Sequence, residues 1–249
     1  MSETTKEQAG GGLWENVKVL IQALLLAVVI RTLFFQPFSI PTGSMMSTLL
    51  VGDYLFVSKF SYGYSKYSIP FSPDLFSGRI WSDEPELGDV AVFRLPSNPK
   101  LDYIKRVVGL PGDRIQIKNG VLFINGEAVK REEAGSYTPE GRYNHGTDVP
   151  VYRETLPNGV SYTTLDLNPN SPGDNTREFV VPEGHYFMMG DNRDNSLDSR
   201  FDVGFVPLEN FIGRATIIFF SIGEDSSPLE IWKWPTDLRF DRFFNSAQR

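Results

Sequence analysis

The sequence contains no cysteine and only two histidines, His145 and His185, in 249 residues. Without cysteine there is no disulfide, no thiolate zinc site and no Cys nucleophile. Two histidines cannot build a His-rich metal centre, and a Ser–His–Asp mechanism would have to use one of them. A serine hydrolase on this chain would otherwise need a different base. Cations are also outnumbered. Lys and Arg total 24 against 31 Asp and Glu, leaving a net charge of −7. That balance argues against a nucleic-acid partner, whose phosphates demand clustered Lys and Arg. What is present, 41% hydrophobic and 22% charged residues, is the composition of an ordered fold over most of the length.

Only one long apolar run occurs. Val19 to Ile30 is apolar apart from Gln22, and as a helix it spans roughly 18 Å. Extension through Arg31 and Thr32 to Phe35 gives 17 residues, the lower limit for crossing a hydrocarbon core of about 30 Å. Lys18 and Arg31 can snorkel to the two interfaces, and Trp14, Phe34 and Phe35 suit the headgroup belts. Three readings compete: an uncleaved membrane anchor, a cleaved signal peptide and a buried amphipathic helix. The run is apolar all round, which disfavours the third, and no Ala-x-Ala follows it, which disfavours the second. The anchor, taken as 13–36, is the reading adopted. Lys6 and Lys18 before the span and Arg31 after it leave its orientation open. Residues 1–12 are polar and Gly-rich, and are read as a disordered tail.

Beyond Pro37 the pattern is β. Gly-Asp pairs precede the strand-like runs Tyr54 to Val57, Val90 to Phe93 and Arg114 to Ile117. Asn119-Gly120 and Asn125-Gly126 flank Val121 to Ile124, predicting a meander with type I′ turns. The fold class is therefore mostly β: an antiparallel β domain over 37–117 and 179–222, interrupted by a smaller β subdomain over 118–178. The tail, 223–249, carries Trp232, Trp234, Phe240, Phe243 and Phe244 with Arg239 and Arg242. It either rests on a membrane surface or docks on the domain.

Three motifs carry possible chemistry. Pro41-Thr42-Gly43-Ser44 predicts a sharp turn, presenting the Ser44 hydroxyl and N–H to one point, with a Thr42 hydroxyl nearby. In Leu101 to Val108, period-2 alternation puts Lys105 on one face with Leu101, Tyr103 and Val107. A lone ammonium in such a row loses hydration, which lowers its pKa and makes a neutral amine available as a general base. Each motif alone is also compatible with a plain structural role. The third, Gly190 to Arg200, reads GDNRDNSLDSR and predicts a polar network at a sheet margin. As a calcium loop it fails, with Ser199 at the glycine position and Phe205 at the closing Glu. Ser97 and Lys100 form a Ser-x-x-Lys, but Pro96 and Pro99 deny the helix that would join them.

Taken together, FSIPTGSMMSTLLVGDYLFVSKFSYG from Phe38, LGDVAVFRLP from Leu87, DYIKRVVGLPGDRI from Asp102 and GHYFMMGDNRDNSLDSRFDVGFVP from Gly184 resemble the bacterial type I signal peptidases. The resemblance implies a Ser–Lys dyad endopeptidase that removes signal peptides from exported preproteins after small residues at −1 and −3. By it, Ser44 is the nucleophile and Lys105 the general base. Thr42 with the Ser44 N–H holds the oxyanion, Ser196 orients the lysine, and Asp198 and Arg200 form a supporting ion pair. Ile40 and Met45 flank the nucleophile as pocket residues. No metal or cofactor is implied. The implied partners are preproteins and the lipid bilayer, and the implied location is the bacterial plasma membrane, single-pass, with the catalytic domain on the extracytoplasmic face. One departure is Ser47, which stands where the family has proline and is expected only to loosen the turn. His145 and His185 match no catalytic position. The rival readings are a dyad autoprotease and a non-catalytic membrane-tethered scaffold.

Overall fold

The computed structural model describes residues 12–139, 141–143, 146–168 and 170–248. The expectations for residues 1–11 and for His145 lie outside them. Helix α1 spans Leu13–Leu33, and its 21 residues rise about 31 Å, a full hydrocarbon thickness. It is longer than the apolar run because Trp14 to Lys18 join its first turns. Glu15 in the first turn and Arg31 in the last suit the helix dipole. None of its span from Trp14 to Leu33 is buried against protein, so the buried-helix reading fails. It is a helix long and apolar enough to cross a membrane.

The strands follow in chain order: β1 Phe35–Ser39, β2 Asp53–Ser58, β3 Val90–Leu95, β4 Asn98–Gly109, β5 Arg114–Lys118, β6 Val121–Ile124 and β7 Glu127–Ala128. After them come β8 Lys130–Tyr137, β9 Val149–Thr155, β10 Ser161–Leu165, β11 Phe179–Val180, β12 His185–Met189, β13 Val206–Pro207 and β14 Phe211–Ser221. They form a seven-stranded sheet β1-β2-β14-β3-β4-β12-β13, a four-stranded sheet β11-β5-β6-β7 and a three-stranded sheet β10-β9-β8. Every neighbouring pair is antiparallel. The meander β5-β6-β7 turns at Asn119-Gly120 and Asn125-Gly126, all four with positive φ, as type I′ turns require.

The large sheet is buried on both faces. On β3, Val90 and Val92 point into a cluster with Ile40, Leu55 and Ile218. Ala91 and Phe93 alternate to the other side, against Val107, Met188 and Phe211. Each fully buried large side chain there contributes roughly 1.5–3 kcal/mol, and a strand buried on both faces has no polar alternation to reveal it. A third cluster joins the four-stranded sheet to the large one through Ile115, Leu122, Phe187 and Met189.

The tail docks on the domain. Arg242 pairs with buried Asp53 at 2.6 Å and donates to the Thr48 carbonyl. The Gln248 amide accepts from Val90 N–H, and Ala247 is fully buried. Trp232, Phe240 and Phe244 remain exposed on its outer side.

Candidate active site

Pairing of β1 with β2 continues to Ile40, whose N–H donates to the Asp53 carbonyl. Pro41 has no N–H with which to extend it. The chain leaves the sheet through extended Thr42 and makes one 3-10 turn over Gly43–Met45. Ser44 sits in that turn, 7% exposed. Lys105 lies on β4 opposite Ala91, and its 4% exposure leaves the amine almost dry. Its Nζ is 2.7 Å from Ser44 Oγ and 2.9 Å from the Ile104 carbonyl. Burial lowers the Lys105 pKa from 10.5 to about 8, against a smaller upward pull from the Asp198 and Asp191 carboxylates. Thr42 Oγ1 is 3.5 Å from Ser44 Oγ. An amine that sheds its proton near neutrality, beside a hydroxyl, can activate that hydroxyl.

Ser196, Asp198 and Arg200 are behind the pair. Ser196 Oγ donates to Asp198 Oδ2 at 2.8 Å; among the described residues no hydrogen bond joins it to Lys105. Arg200 grips Asp198 with two N–H groups, each at 2.9 Å. Burial by itself would raise Asp198, but Arg200 and the bonds from Gly190 N–H and Ser196 hold it below the ordinary carboxylate value. Ser44, Lys105, Thr42 and Ser196 line one cleft of about 550 Å³, with Tyr103, Ile104 and Tyr143 on its walls. The expected pocket residues Ile40 and Met45 do not line this cleft. Both are buried in the core beneath the turn: Ile40 lies where the chain still pairs with β2, and the 3-10 turn that carries Ser44 places Met45 inward.

Four features escaped the sequence reading. Arg106, beside Lys105, is fully buried on the opposite face and pairs with Asp191 at 2.7 Å, over the Tyr162 ring. Asn192 fastens the nucleophile turn, its N–H on the Ser44 carbonyl and its Nδ2 on the Gly43 carbonyl. Its run, GDNRDN, was visible as a polar network, without a partner to assign. Tyr143 Oη accepts the Gly43 N–H at 2.9 Å, and nothing in its local sequence announces this. Ser47 adopts φ +88° and its Oγ donates to the Thr163 carbonyl at 2.7 Å. Proline, fixed near −65°, cannot take that conformation. Ser47 therefore does more than loosen the turn, since it takes a conformation closed to proline and ties the chain to β10.

Gly190 makes the close approach possible. A Cβ there would lie 2.5 Å from the Ser44 carbonyl and 2.3 Å from Ser196 Oγ. Gly190→Ala is expected to push the nucleophile turn off Lys105 and cut turnover about 10²-fold. Steady-state kinetics on folded protein, with circular dichroism as a folding control, would measure it.

His185 bonds the Glu183 carbonyl through Nδ1, outside the cleft. Ser97 and Lys100 flank the β3–β4 turn, with Lys100 inside a strand. Asp194 turns to the N–H groups of Leu167 and Asn168, so Asp194, Ser196 and Asp198 do not converge as calcium ligands. Among the described residues one carboxylate cluster, Asp166, Asp174 and Asp194, lies within 4.8 Å. Arg131 neutralises Asp166, and backbone N–H groups cap the other two.

A profile of the family described as "Signal peptidase, peptidase S26" matches residues 13–220. The chain is 45% identical to a signal peptidase I of Rickettsia typhi over 240 residues, covering 90% of this chain and 89% of that protein. It is similar to the same degree, over the same coverage, to a signal peptidase I of Rickettsia akari. A crystal structure of a signal peptidase I from Enterococcus faecalis aligns with 27% identity and a TM-score of 0.31, covering 53% of this chain and 97% of that one.

Proposed function

The chain belongs to the signal peptidase family, peptidase S26, and from that premise we propose that it removes signal peptides from exported preproteins with Ser44 as nucleophile and Lys105 as general base. Membership makes it a serine peptidase. The observation that carries the assignment of the pair is the 2.7 Å contact between a buried amine and a serine hydroxyl.

Neutral Lys105 takes the Ser44 proton as Oγ attacks the scissile carbonyl. The Ser44 N–H and the Thr42 hydroxyl hold the oxyanion. The ammonium then protonates the leaving amine, and water, activated by the same lysine, releases the signal peptide. Ser196, Asp198 and Arg200 back the pair. Their buried network keeps the Asp198 carboxylate in place beside the amine without bringing in water. Ile40 and Met45 support the cleft from below.

The substrate strand has a natural place. The edge of β4 before Arg106 is unpaired by β12, and β1 ends the large sheet. A peptide in extended form can add to such edges, and the proposed substrates carry small residues at −1 and −3. The apolar helix α1 holds the enzyme in the plasma membrane, and the ten residues from its end at Leu33 to Ser44 keep the cleft near the bilayer surface. The catalytic domain then faces the extracytoplasmic side, where preproteins emerge. Processing of a preprotein by purified enzyme, with N-terminal sequencing of the product, tests this reading. A product cut elsewhere, or none, defeats it.

Activity is expected to rise with pH. Only unprotonated Lys105 is competent, and its pKa is lowered by burial to about 8. About a tenth of it is then neutral at pH 7, so kcat/KM should climb nearly tenfold per pH unit below that and level off above about pH 8–9. A profile flat from pH 6 to 9 would contradict a base of this kind.

A further inference from the structure

A second cavity, of about 410 Å³, opens beside Met46, just past the nucleophile turn, and takes no wall from β4. Met46, Pro139, Leu165 and Leu167 form its apolar walls, and Asn192, Asp194, Asn195 and Arg142 its polar ones, the Arg142 guanidinium being engaged by Glu224. Tyr143, Asp194 and Asn195 line both this cavity and the catalytic cleft, so the two adjoin there. Both β10, which supplies Leu165, and the segment carrying Tyr143 come from the stretch between β7 and β11.

Two acceptor oxygens of the polar wall lack donors among the described residues. Asn192 is 98% buried, being 2% exposed. Its Nδ2 is taken by the Gly43 carbonyl, and its Oδ1 has no partner among the described residues. Asp194 receives Leu167 and Asn168 N–H on one oxygen, and its other oxygen is likewise unpartnered. Buried acceptors left in this state are costly unless a ligand brings N–H groups to them.

Strand direction says which ligand. Four antiparallel steps separate β1 from β4 in the sheet, so the two run the same way. Since α1 leads directly into β1, both lead from the membrane end towards Ser44 and Lys105. On the peptidase reading a signal peptide runs in that direction too, with its scissile bond at Ser44, and the chain on the C-terminal side of that bond would continue past the turn towards Met46 and the second cavity.

We propose that this cavity is the subsite for the first residues of the mature protein, those after the scissile bond. It takes their backbone N–H groups on Asn192 Oδ1 and Asp194, and an uncharged apolar side chain between Met46, Leu165 and Leu167. This rests on the peptidase reading above. The segment between β7 and β11 thereby selects residues on the C-terminal side of the cleavage site, while the β1 and β4 edges select those on the N-terminal side. An acidic residue in the second cavity meets the Asp194 carboxylate and is disfavoured.

The test uses full-length enzyme in detergent and peptides identical up to the scissile bond. One series carries one or four residues after it; another carries Leu or Asp in the first two of these. Wild type should cleave the longer peptides and the Leu peptides about tenfold faster or more in kcat/KM. Leu167→Asp, at a half-exposed position, should erase the Leu preference and leave discrimination at −1 unchanged. Leu167→Met should keep both. Equal cleavage of short and long peptides by wild type overturns the proposal, whatever the variants do. So does a Leu167→Asp enzyme that changes selectivity only at −1. If wild type cleaves none of the peptides, the peptidase reading itself fails.

Discussion

Ser44→Ala and Lys105→Met are each expected to lower processing of a preprotein at least about 10⁴-fold, and the double variant should be no worse than either. Nucleophile and base act as one unit here. Among the described residues the amine has no hydroxyl partner besides Ser44, at 2.7 Å, and His185 lies outside the cleft, on the Glu183 carbonyl. Lys105→Arg should fail equally, because guanidinium keeps its proton. The folding consequence runs the other way. Holding a buried lysine pKa near 8 means the charged form costs about 3 kcal/mol at neutral pH. Lys105→Met removes that cost and should unfold at the same temperature as wild type or higher. Single-turnover assays and thermal melts on the same samples check both halves. A Lys105→Met enzyme within tenfold of wild type would remove Lys105 from the mechanism.

Arg106→Met is expected to cost about 3–5 kcal/mol of stability, a large share of the roughly 5–15 kcal/mol by which a domain stays folded. Arg106 is fully buried and its guanidinium meets both oxygens of Asp191 at 2.9 and 2.7 Å. It also donates to the carbonyls of Gly88 and Gln248. Without it the Asp191 carboxylate, which Thr48 alone would still serve, is left charged in the core. Adding Asp191→Leu should recover part of the loss, since an apolar pair is less damaging than an orphaned ion. Urea denaturation of the two variants measures this. Arg106→Met with wild-type stability would mean that the pair is dispensable. Asp191 also precedes Asn192, which holds the Ser44 and Gly43 carbonyls, so surviving folded enzyme should turn over slowly.

The features legible in the sequence are those whose cause is local. Asn-Gly at 119–120 and 125–126 needs positive φ wherever it occurs, so the β5-β6-β7 meander could be read directly. The apolar run at 19–30 predicts a spanning helix on hydropathy alone; the helix starts at Leu13, as the anchor was taken to, and ends at Leu33 rather than 36, because β1 begins at Phe35. Alternation on β4 separates Lys105 from Arg106, but says nothing of what covers either face. For Arg106 the pattern pointed nowhere, because a strand buried on both sides loses the polar period that marks an exposed face. Ile40 and Met45 looked like pocket residues by their nearness to Ser44. Both lie in the core instead, Ile40 on the continued sheet pairing and Met45 in the 3-10 turn.

Sequence alone therefore determined the kinds of group present: a turn that offers a serine, a strand that carries one lysine in an apolar row, no thiol and scarcely an imidazole to compete, and one helix fit for a bilayer. Tertiary structure decided which of these meet. Ser44 and Lys105 are 61 positions apart, Tyr143 is 100 from Gly43, and Ser47 is 116 from the Thr163 carbonyl. Local sequence sets backbone preference and hydropathy over a few residues, whereas desolvation of an amine depends on every chain segment that packs over it. That is why the chemistry of Lys105 could be named from the chain, and its dryness only from the fold.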